Sequence, residues 1–175
     1  MDELTAAKFD LIVQLMVNWS GQWQQHILKH GAPLDDKGIQ DAKCVLIAAP
    51  EKVRVLEVPN VPMPPQRLLY STLVKSGVFS LDACGLTLEY GIFLKTGALP
   101  LQYWLTHELV HVAQYERMGG LALCQRQYLQ ECLRVGYEQS ALEQEAHQTA
   151  LKCLATRGVT FNFGDQVKTE NEERL

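Results

Sequence analysis

The sequence predicts a single α+β domain that is mostly helical, with a small sheet placed before its central helix. Three observations support this class. The chain has 175 residues, which is the size of one ordinary domain. Apolar residues recur at helical spacing near both ends of the chain, whereas residues 86–94 alternate with a period of two. The predicted strands and helices are not interleaved, so we expect no βαβ units.

The N-terminal part predicts two helices and a strand. Leucine and tryptophan residues repeat at helical spacing over residues 3–30 without a proline, and Gly31 and Pro33 end this first helix. A shorter helix is predicted over residues 36–48, followed by a short strand near residues 53–56. Four prolines between residues 58 and 65 predict an extended connector.

The C-terminal part predicts strands followed by three helices. Strand character extends over residues 78–95, where apolar and polar residues alternate. Helices are then predicted over residues 101–117, 121–135 and 140–156. Gly119 and Gly120 separate the first two of these helices. A final short strand is predicted at residues 159–163, and the polar residues 165–175 predict a frayed tail.

Charge and hydropathy argue against several classes of partner. The net charge is −4 and the isoelectric point is about 5.7, without a basic tract, which argues against binding to nucleic acids or anionic membranes. No apolar run approaches the ~20 residues of a membrane span. The chain begins Met-Asp-Glu, unlike a secretory signal, so we expect a cytoplasmic protein. Five cysteines without a CxxC pair predict reduced, mostly buried thiols.

One sequence motif indicates a metal-dependent function. His-Glu-Leu-Val-His at residues 107–111 is an HExxH motif within a predicted helix. Residues four apart share a helical face, so the imidazoles of His107 and His111 can bind one metal ion. Glu108 then stands beside the ion, where it can take a proton from a bound water. We expect zinc, which lowers the pKa of such a water to about 7. A solvated helix face with two histidines is the alternative interpretation.

Two histidines do not hold zinc tightly, so a third protein ligand is needed. A downstream carboxylate, histidine or cysteine can supply it. The helix predicted over residues 140–156 contains Leu-Glu-Gln-Glu-Ala-His at residues 142–147. HExxH followed about 30 residues later by such a helix resembles the gluzincin-type metallopeptidases of the zincin group, particularly their small minimal forms. The similarity extends over residues 85–150, and this region looks like small bacterial domains of uncharacterised function with a zincin core.

This resemblance implies a zincin-like α+β fold with a zinc core at residues 78–156 and an N-terminal helical part at residues 1–50, within one domain of residues 1–175. In gluzincins the third ligand is a glutamate three residues before an alanine, which is Glu143 here. Glu143 and Ala146 lie on one helical face, and the small alanine lets two helices approach closely. Glu145 points about 200° away from Glu143 and is expected to be solvated or to support a ligand.

The resemblance also implies three supporting roles. His147 stands where these families usually have an aspartate, and it is expected to accept a hydrogen bond from His107 or to bind the metal itself. The strand before the motif resembles an edge strand to which a peptide substrate adds, with Gly91 allowing close approach; a plain core strand is the alternative. Tyr137 is the preferred stabiliser of an oxyanion formed at zinc. Tyr128, Tyr115 and His147 are the other candidates for this last role.

The sequence therefore predicts a zinc-dependent metallopeptidase acting on a peptide or protein. His107, His111 and Glu143 hold zinc in this prediction, and Glu108 is the general base. The alternative is a metal-stabilised binding or regulatory domain with little or no hydrolysis. The histidine at position 147 and the small size of the chain favour this alternative. No oligomeric state is predicted.

Overall fold

The structure is a computed structural model that describes residues 6–75, 77 and 82–159. Its helices are α1 (Ala6–His30), α2 (Asp36–Cys44), α3 (Arg67–Lys75), α4 (Leu101–Met118), α5 (Leu121–Val135) and α6 (Ala141–Ala155). Its strands are β1 (Ala32–Pro33), β2 (Arg54–Val58), β3 (Gly85–Leu88) and β4 (Gly91–Lys95). A short 3₁₀ helix at Pro50–Lys52 precedes β2. The predicted α+β class is confirmed.

The four strands form one mixed sheet in the order β1-β2-β4-β3, so that β1 and β3 are its edges. β2 pairs parallel with β4, and the chain between them passes through α3 and β3. The expectation that no βαβ connection occurs is therefore wrong for this pair of strands. Helix α3 is not predicted from the sequence pattern, because it is short and directly follows the proline-rich connector.

Helices cover both faces of the sheet. On one face, α1, α3 and α5 pack around a core that contains Phe93. On the other face, α2, α4 and α6 pack around a core that contains Ile92. These adjacent residues of β4 are fully buried and point to opposite faces, as the period of a strand requires. Because both faces are covered, β4 carries a run of apolar residues.

α4 contains the HExxH motif and packs along α6. Leu109 and Val112 of α4 share a core with Ala146 of α6, which is fully buried. A small side chain at this position lets the two helices approach closely. Gly119 ends α4 with φ of 87°, a left-handed conformation that glycine adopts without strain. The predicted bounds of α4, α5 and α6 agree with the structure to within one residue at each end.

α2 ends earlier than predicted, at Cys44 instead of residue 48. Two residues beyond this end, Leu46 has φ of 67°, a backbone conformation that cannot continue a right-handed helix. Residues 86–94, predicted as one alternating stretch, form a hairpin in which Glu89 occupies the turn with φ of 58°. Because Leu88 pairs with Gly91, the turn has two residues, and the period-two alternation of the sequence continues across it.

A disulfide joins Cys44 of α2 to Cys153 of α6. Their Cα atoms are 6.0 Å apart, although 109 residues separate them in the chain. The prediction of reduced thiols is therefore wrong for this pair, because the pairing depends on how α2 and α6 pack and leaves no spacing signal in the sequence. Cys124 and Cys132 are free and buried, as predicted.

Some predicted segments lie outside the described residues. These are the first residues of the N-terminal helix, residues 78–81 and the tail at residues 165–175. Val159, at the start of the predicted last strand, has no regular structure, and the rest of that strand is outside the described part. Within residues 6–75, 77 and 82–159, no helix has the length and apolar character needed to cross a lipid bilayer.

Candidate metal centre

Three side chains from α4 and α6 converge at one point. His107 and His111 extend from α4, and Glu143 lies in the first turn of α6. The Nε2 atoms of the two imidazoles are 3.2 Å apart, and each lies 3.3 Å from one carboxylate oxygen of Glu143. The structure thus brings together the three residues that the sequence analysis predicted as metal ligands.

The spacing of these atoms fits a bound cation. Two imidazole nitrogens with facing lone pairs repel each other at 3.2 Å unless a proton or a cation lies between them. Donor atoms bound to tetrahedral zinc at about 2.0–2.1 Å are themselves about 3.3 Å apart, which is close to the spacing in this cluster. Two histidines and a glutamate are also a donor set that zinc uses in catalytic sites, where a fourth position stays open.

The carboxylate of Glu143 and the imidazole of His111 shift each other's pKa values. Burial raises the pKa of Glu143, but the neighbouring His111 and His107 outweigh burial and hold this pKa well below its usual range. Burial lowers the pKa of His111, whereas the charge and hydrogen bond of Glu143 raise it to about 9. The cluster therefore favours an ionised Glu143 with a positive charge beside it. A metal cation can supply that charge in place of the proton on His111.

Gln114 connects His111 to a salt bridge. Its Oε1 accepts a hydrogen bond from Nδ1 of His111 at 2.8 Å, which leaves Nε2 of the imidazole available as a ligand. Its Nε2 donates to the backbone oxygen of Leu142 at 2.9 Å and to Glu145 at 3.0 Å. Arg117 in turn holds Glu145 through hydrogen bonds of 2.9 and 2.7 Å. Glu145 is therefore linked through Gln114 to the candidate ligand His111, while its carboxylate remains partly exposed and paired with Arg117.

Gln114 is a site residue not predicted from the sequence, although its position three residues after His111 puts it on the same helical face. Replacing Gln114 by leucine removes the acceptor that orients His111 and keeps a side chain of similar size. We expect zinc affinity to fall about 10–100-fold, as for other residues that orient a metal ligand. Competition with a chromophoric chelator measures this change. Gln139→Leu, at an exposed position on the cavity described below, is the matched control. Equal affinities in the two variants would contradict the role of Gln114.

His107 lacks a corresponding partner. Its Nδ1 is buried and has no hydrogen-bond partner in the described part of the chain. His147, predicted to accept this hydrogen bond, is exposed, and its Nδ1 instead lies 2.6 Å from the hydroxyl of Tyr103. The ring of Tyr103 packs against both imidazoles, with centroids 6.0 Å from His107 and 5.9 Å from His147. The predicted hydrogen bond between His147 and His107 is therefore wrong, because Nδ1 of His147 faces the hydroxyl of Tyr103 instead of the imidazole of His107.

Glu108 is buried against the edge strand β3. The hydroxyl of Thr87 donates to Oε2 of Glu108 at 2.7 Å, with the backbone oxygen of Glu108 also 2.9 Å away. A Cβ atom at position 85 would lie 2.5 Å from Oε1 of Glu108, so only the glycine at that position leaves room for this carboxylate. Gly85 and Thr87 are not predicted as site residues from the sequence, because their contact with α4 depends on how β3 packs against that helix.

Two tyrosines lie near Glu143. Tyr128 of α5 donates to Oε1 of Glu143 at 2.5 Å, and Tyr137, between α5 and α6, lines the same cavity as this carboxylate. Burial, followed by the negative charge of Glu143, raises the pKa of both phenols. Both side chains therefore remain neutral hydrogen-bond donors at physiological pH. Tyr137 lies in the site, as expected from the sequence, and Tyr128 lines the same cavity.

A cavity of about 770 Å³ adjoins the cluster. Its lining includes the three candidate ligands, Glu108, both tyrosines and the residues of β3. Gly91 does not line it: this residue lies in β4, between β2 and β3, where a Cβ atom would stand 3.1 Å from the side chain of Ile27. The predicted role of Gly91 in pairing with a substrate is therefore wrong, because the sequence analysis treated β3 and β4 as one strand. The strand edge beside the cavity belongs to β3.

No protein-family model, curated protein or solved structure matches this chain in comparisons of its sequence and structure. The fold and the site define the chain as an α+β domain with a buried His-His-Glu group that could hold a metal ion. Any assignment of function therefore depends on the geometry of this site.

Proposed function

We propose that this protein is a zinc-dependent hydrolase, and most directly a metallopeptidase. One observation carries the proposal: the ligand atoms of His107, His111 and Glu143 converge at 3.2–3.3 Å beside the buried carboxylate of Glu108. A surface pair of histidines would not require this arrangement. Burying two carboxylates next to each other is costly unless a cation or hydrogen bonds compensate for their charge.

When bound, zinc supplies an acidified water and polarises the carbonyl that is attacked. Glu108 is the proton acceptor in this proposal, and it is suited to the role because Thr87 fixes one carboxylate oxygen and leaves the other as an acceptor. The phenols of Tyr128 and Tyr137 are neutral donors in the same cavity. Tyr137 can donate a hydrogen bond to an oxygen that becomes negatively charged during the reaction, whereas the proton of Tyr128 is already donated to Glu143.

The edge strand supports a peptide as the substrate class. Among the described strands β3 pairs only with β4, and its residues line the cavity next to Glu108. An extended peptide can add to such an edge through backbone hydrogen bonds. Gly85, which contacts Glu108, places the beginning of that edge next to the proposed general base. An added peptide would therefore run past the carboxylate.

A metal-stabilised binding domain with little or no hydrolysis is the second candidate. The observation that favours it is the buried Nδ1 of His107, which has no hydrogen-bond partner among the described residues. A ligand that is not oriented by a partner holds its metal less firmly, and its basicity is lower. Such weaker metal binding would reduce the rate of hydrolysis more than the stability of the folded domain.

Metal analysis combined with a peptide-library cleavage assay tests the proposal. We expect one zinc per chain after reconstitution, cleavage of internal peptide bonds, and loss of both after treatment with a chelator. Restored activity on adding zinc back would exclude irreversible unfolding as the cause. Bound zinc without cleavage of any peptide would favour the binding domain, and the absence of bound zinc would contradict both candidates.

A further inference from the structure

Tyr128 of α5 contacts two of the three candidate metal ligands. Its hydroxyl donates a hydrogen bond to Oε1 of Glu143 at 2.5 Å. Its ring packs edge-on against the imidazole of His111, with the ring centroids 6.4 Å apart and an angle of 74° between the ring planes. Because His111 belongs to α4 and Glu143 to α6, Tyr128 brings a third helix into the metal centre.

The contacts of α5 with α1 fix the position of Tyr128. Leu129, the next residue, is fully buried in the core that includes Ile12 of α1. Gln125, one turn earlier, is buried, and its amide forms a hydrogen bond of 2.6 Å with Oγ of Ser20, also in α1. Tyr128 is therefore positioned by contacts that are separate from the metal centre.

The hydrogen bond from Tyr128 makes the two carboxylate oxygens of Glu143 unequal. Oε1 accepts the proton of the phenol, whereas Oε2 faces Nε2 of His107 at 3.3 Å. A hydroxyl has a single proton, so the donor capacity of Tyr128 is used by this bond. Hydrogen bonds from a neutral donor to a carboxylate are short and strong, and this one also fixes the rotation of the carboxylate about its last bond.

We propose that Tyr128 is a positioning residue that holds Glu143 as a metal ligand through Oε2 alone. This proposal rests on the zinc centre of the proposed function and deepens it. A carboxylate that binds through one oxygen uses one coordination position, whereas a carboxylate that binds through both oxygens uses two. Together with His107 and His111, a one-oxygen ligand leaves the fourth position of a tetrahedral centre open, as a catalytic zinc site requires.

Tyr128→Phe tests this role by removing only the hydroxyl group. The ring remains, so its packing against His111 is retained. We expect the zinc affinity to fall about 10–100-fold, the range for losing a residue that orients a metal ligand. Competition with a chromophoric chelator measures this change.

Tyr90→Phe is the matched control for this experiment. Tyr90 also donates to a carboxylate, that of Glu116, at 2.8 Å, and neither of these two residues lines the cavity of the metal centre. The substitution therefore removes the same kind of hydrogen bond at a different place. Its zinc affinity should stay at the wild-type value. A loss of affinity in Tyr90→Phe equal to that in Tyr128→Phe would overturn the specific role of Tyr128.

Replacing zinc by cobalt(II) gives a readout that a purely structural role of Tyr128 would not change. Four-coordinate cobalt(II) absorbs visible light strongly, and this absorption weakens when the coordination number rises. We expect strong absorption from the wild-type protein and weaker absorption from Tyr128→Phe, because its freed carboxylate can bind through both oxygens. Tyr90→Phe should give the wild-type spectrum. An unchanged zinc affinity or an unchanged cobalt spectrum in Tyr128→Phe overturns the proposal.

Circular dichroism checks that Tyr128→Phe is folded. If it is not, the hydroxyl proton of Tyr128 in the wild-type protein decides. A proton in a short, buried hydrogen bond exchanges slowly with water and gives a resonance at low field. This resonance should be present in both the metal-free and the zinc-loaded protein, and its loss on zinc binding overturns the proposal.

The proposed function and the role of Tyr128 fail separately. Zinc binding that weakens in Tyr128→Phe, without cleavage of any peptide, would support the role of Tyr128 and contradict the peptidase. Cleavage by a protein whose zinc affinity does not depend on this hydroxyl would support the peptidase and contradict the role of Tyr128. A wild-type protein that binds no zinc would overturn both.

Discussion

Glu108→Gln should remove nearly all hydrolytic activity and leave the metal in place. Glutamine retains the shape of the side chain and can still accept the hydrogen bond from Thr87, but its amide cannot take a proton from water. We expect kcat to fall by at least about 10²–10⁴-fold, the usual contribution of a general base. The zinc content should stay at the wild-type value, because none of the three candidate ligands changes. Metal analysis and kinetics on the same preparation measure both quantities.

Glu138→Gln is the matched control for this experiment. Glu138 lines the same cavity at an exposed position, so the substitution removes one negative charge from the cavity without affecting β3. Its activity should stay within about twofold of the wild type. If Glu108→Gln keeps its zinc and also keeps its activity, Glu108 is not the general base. Equal losses in both variants would indicate a general effect of charge in the cavity.

The parts of the fold that the sequence predicted best are those with local signals. The bounds of α4, α5 and α6 follow from helical spacing and from the glycines at positions 119 and 120. The first helix likewise ends at His30, directly before Gly31. Such ends are determined by backbone conformations that particular residues adopt easily, so the sequence alone contains the information.

The parts that the sequence could not predict depend on contacts between distant segments. The parallel pairing of β2 with β4 and the disulfide between Cys44 and Cys153 both require the packed structure. β1 has two residues and forms only because β2 lies beside it. Neither a two-residue strand nor a disulfide across 109 residues changes the local pattern of apolar residues.

The candidate site divides in the same way. The four-residue spacing of His107 and His111 places them on one helical face, so the sequence alone predicts their proximity. Glu143 was predicted from a family resemblance, and the three side chains do converge in the structure. The contact of Gly85 with Glu108, by contrast, depends on how β3 lies against α4. The two errors, at Gly91 and His147, have one cause. Each role was assigned by position in the sequence. The side chain that reaches the site depends instead on which strand forms the sheet edge, or on a neighbouring tyrosine.

Glu143→Gln should remove most of the zinc affinity, whereas Glu145→Gln should not. The two glutamates lie two residues apart on α6, and each was a candidate carboxylate for the metal. Glu143 faces both imidazoles at 3.3 Å, whereas Glu145 faces Arg117 and Gln114. An amide is a much poorer zinc ligand than a carboxylate, so we expect the affinity of Glu143→Gln to fall more than about 100-fold, beyond the effect of residues that only orient a ligand. Equilibrium dialysis with zinc measures this directly.

Glu145→Gln is informative because it makes the same chemical change at a position that supports the site only through Gln114. The new amide oxygen can still accept the hydrogen bond of Gln114, so the orientation of His111 is weakened and not lost. We expect its zinc affinity to fall by less than about tenfold, below the range typical for losing an orienting partner. Both variants should remain folded, because the two cores do not include either side chain. If Glu145→Gln lost as much zinc as Glu143→Gln, the carboxylate that completes the metal centre would not be Glu143 alone, and the ligand geometry proposed for this protein would be wrong.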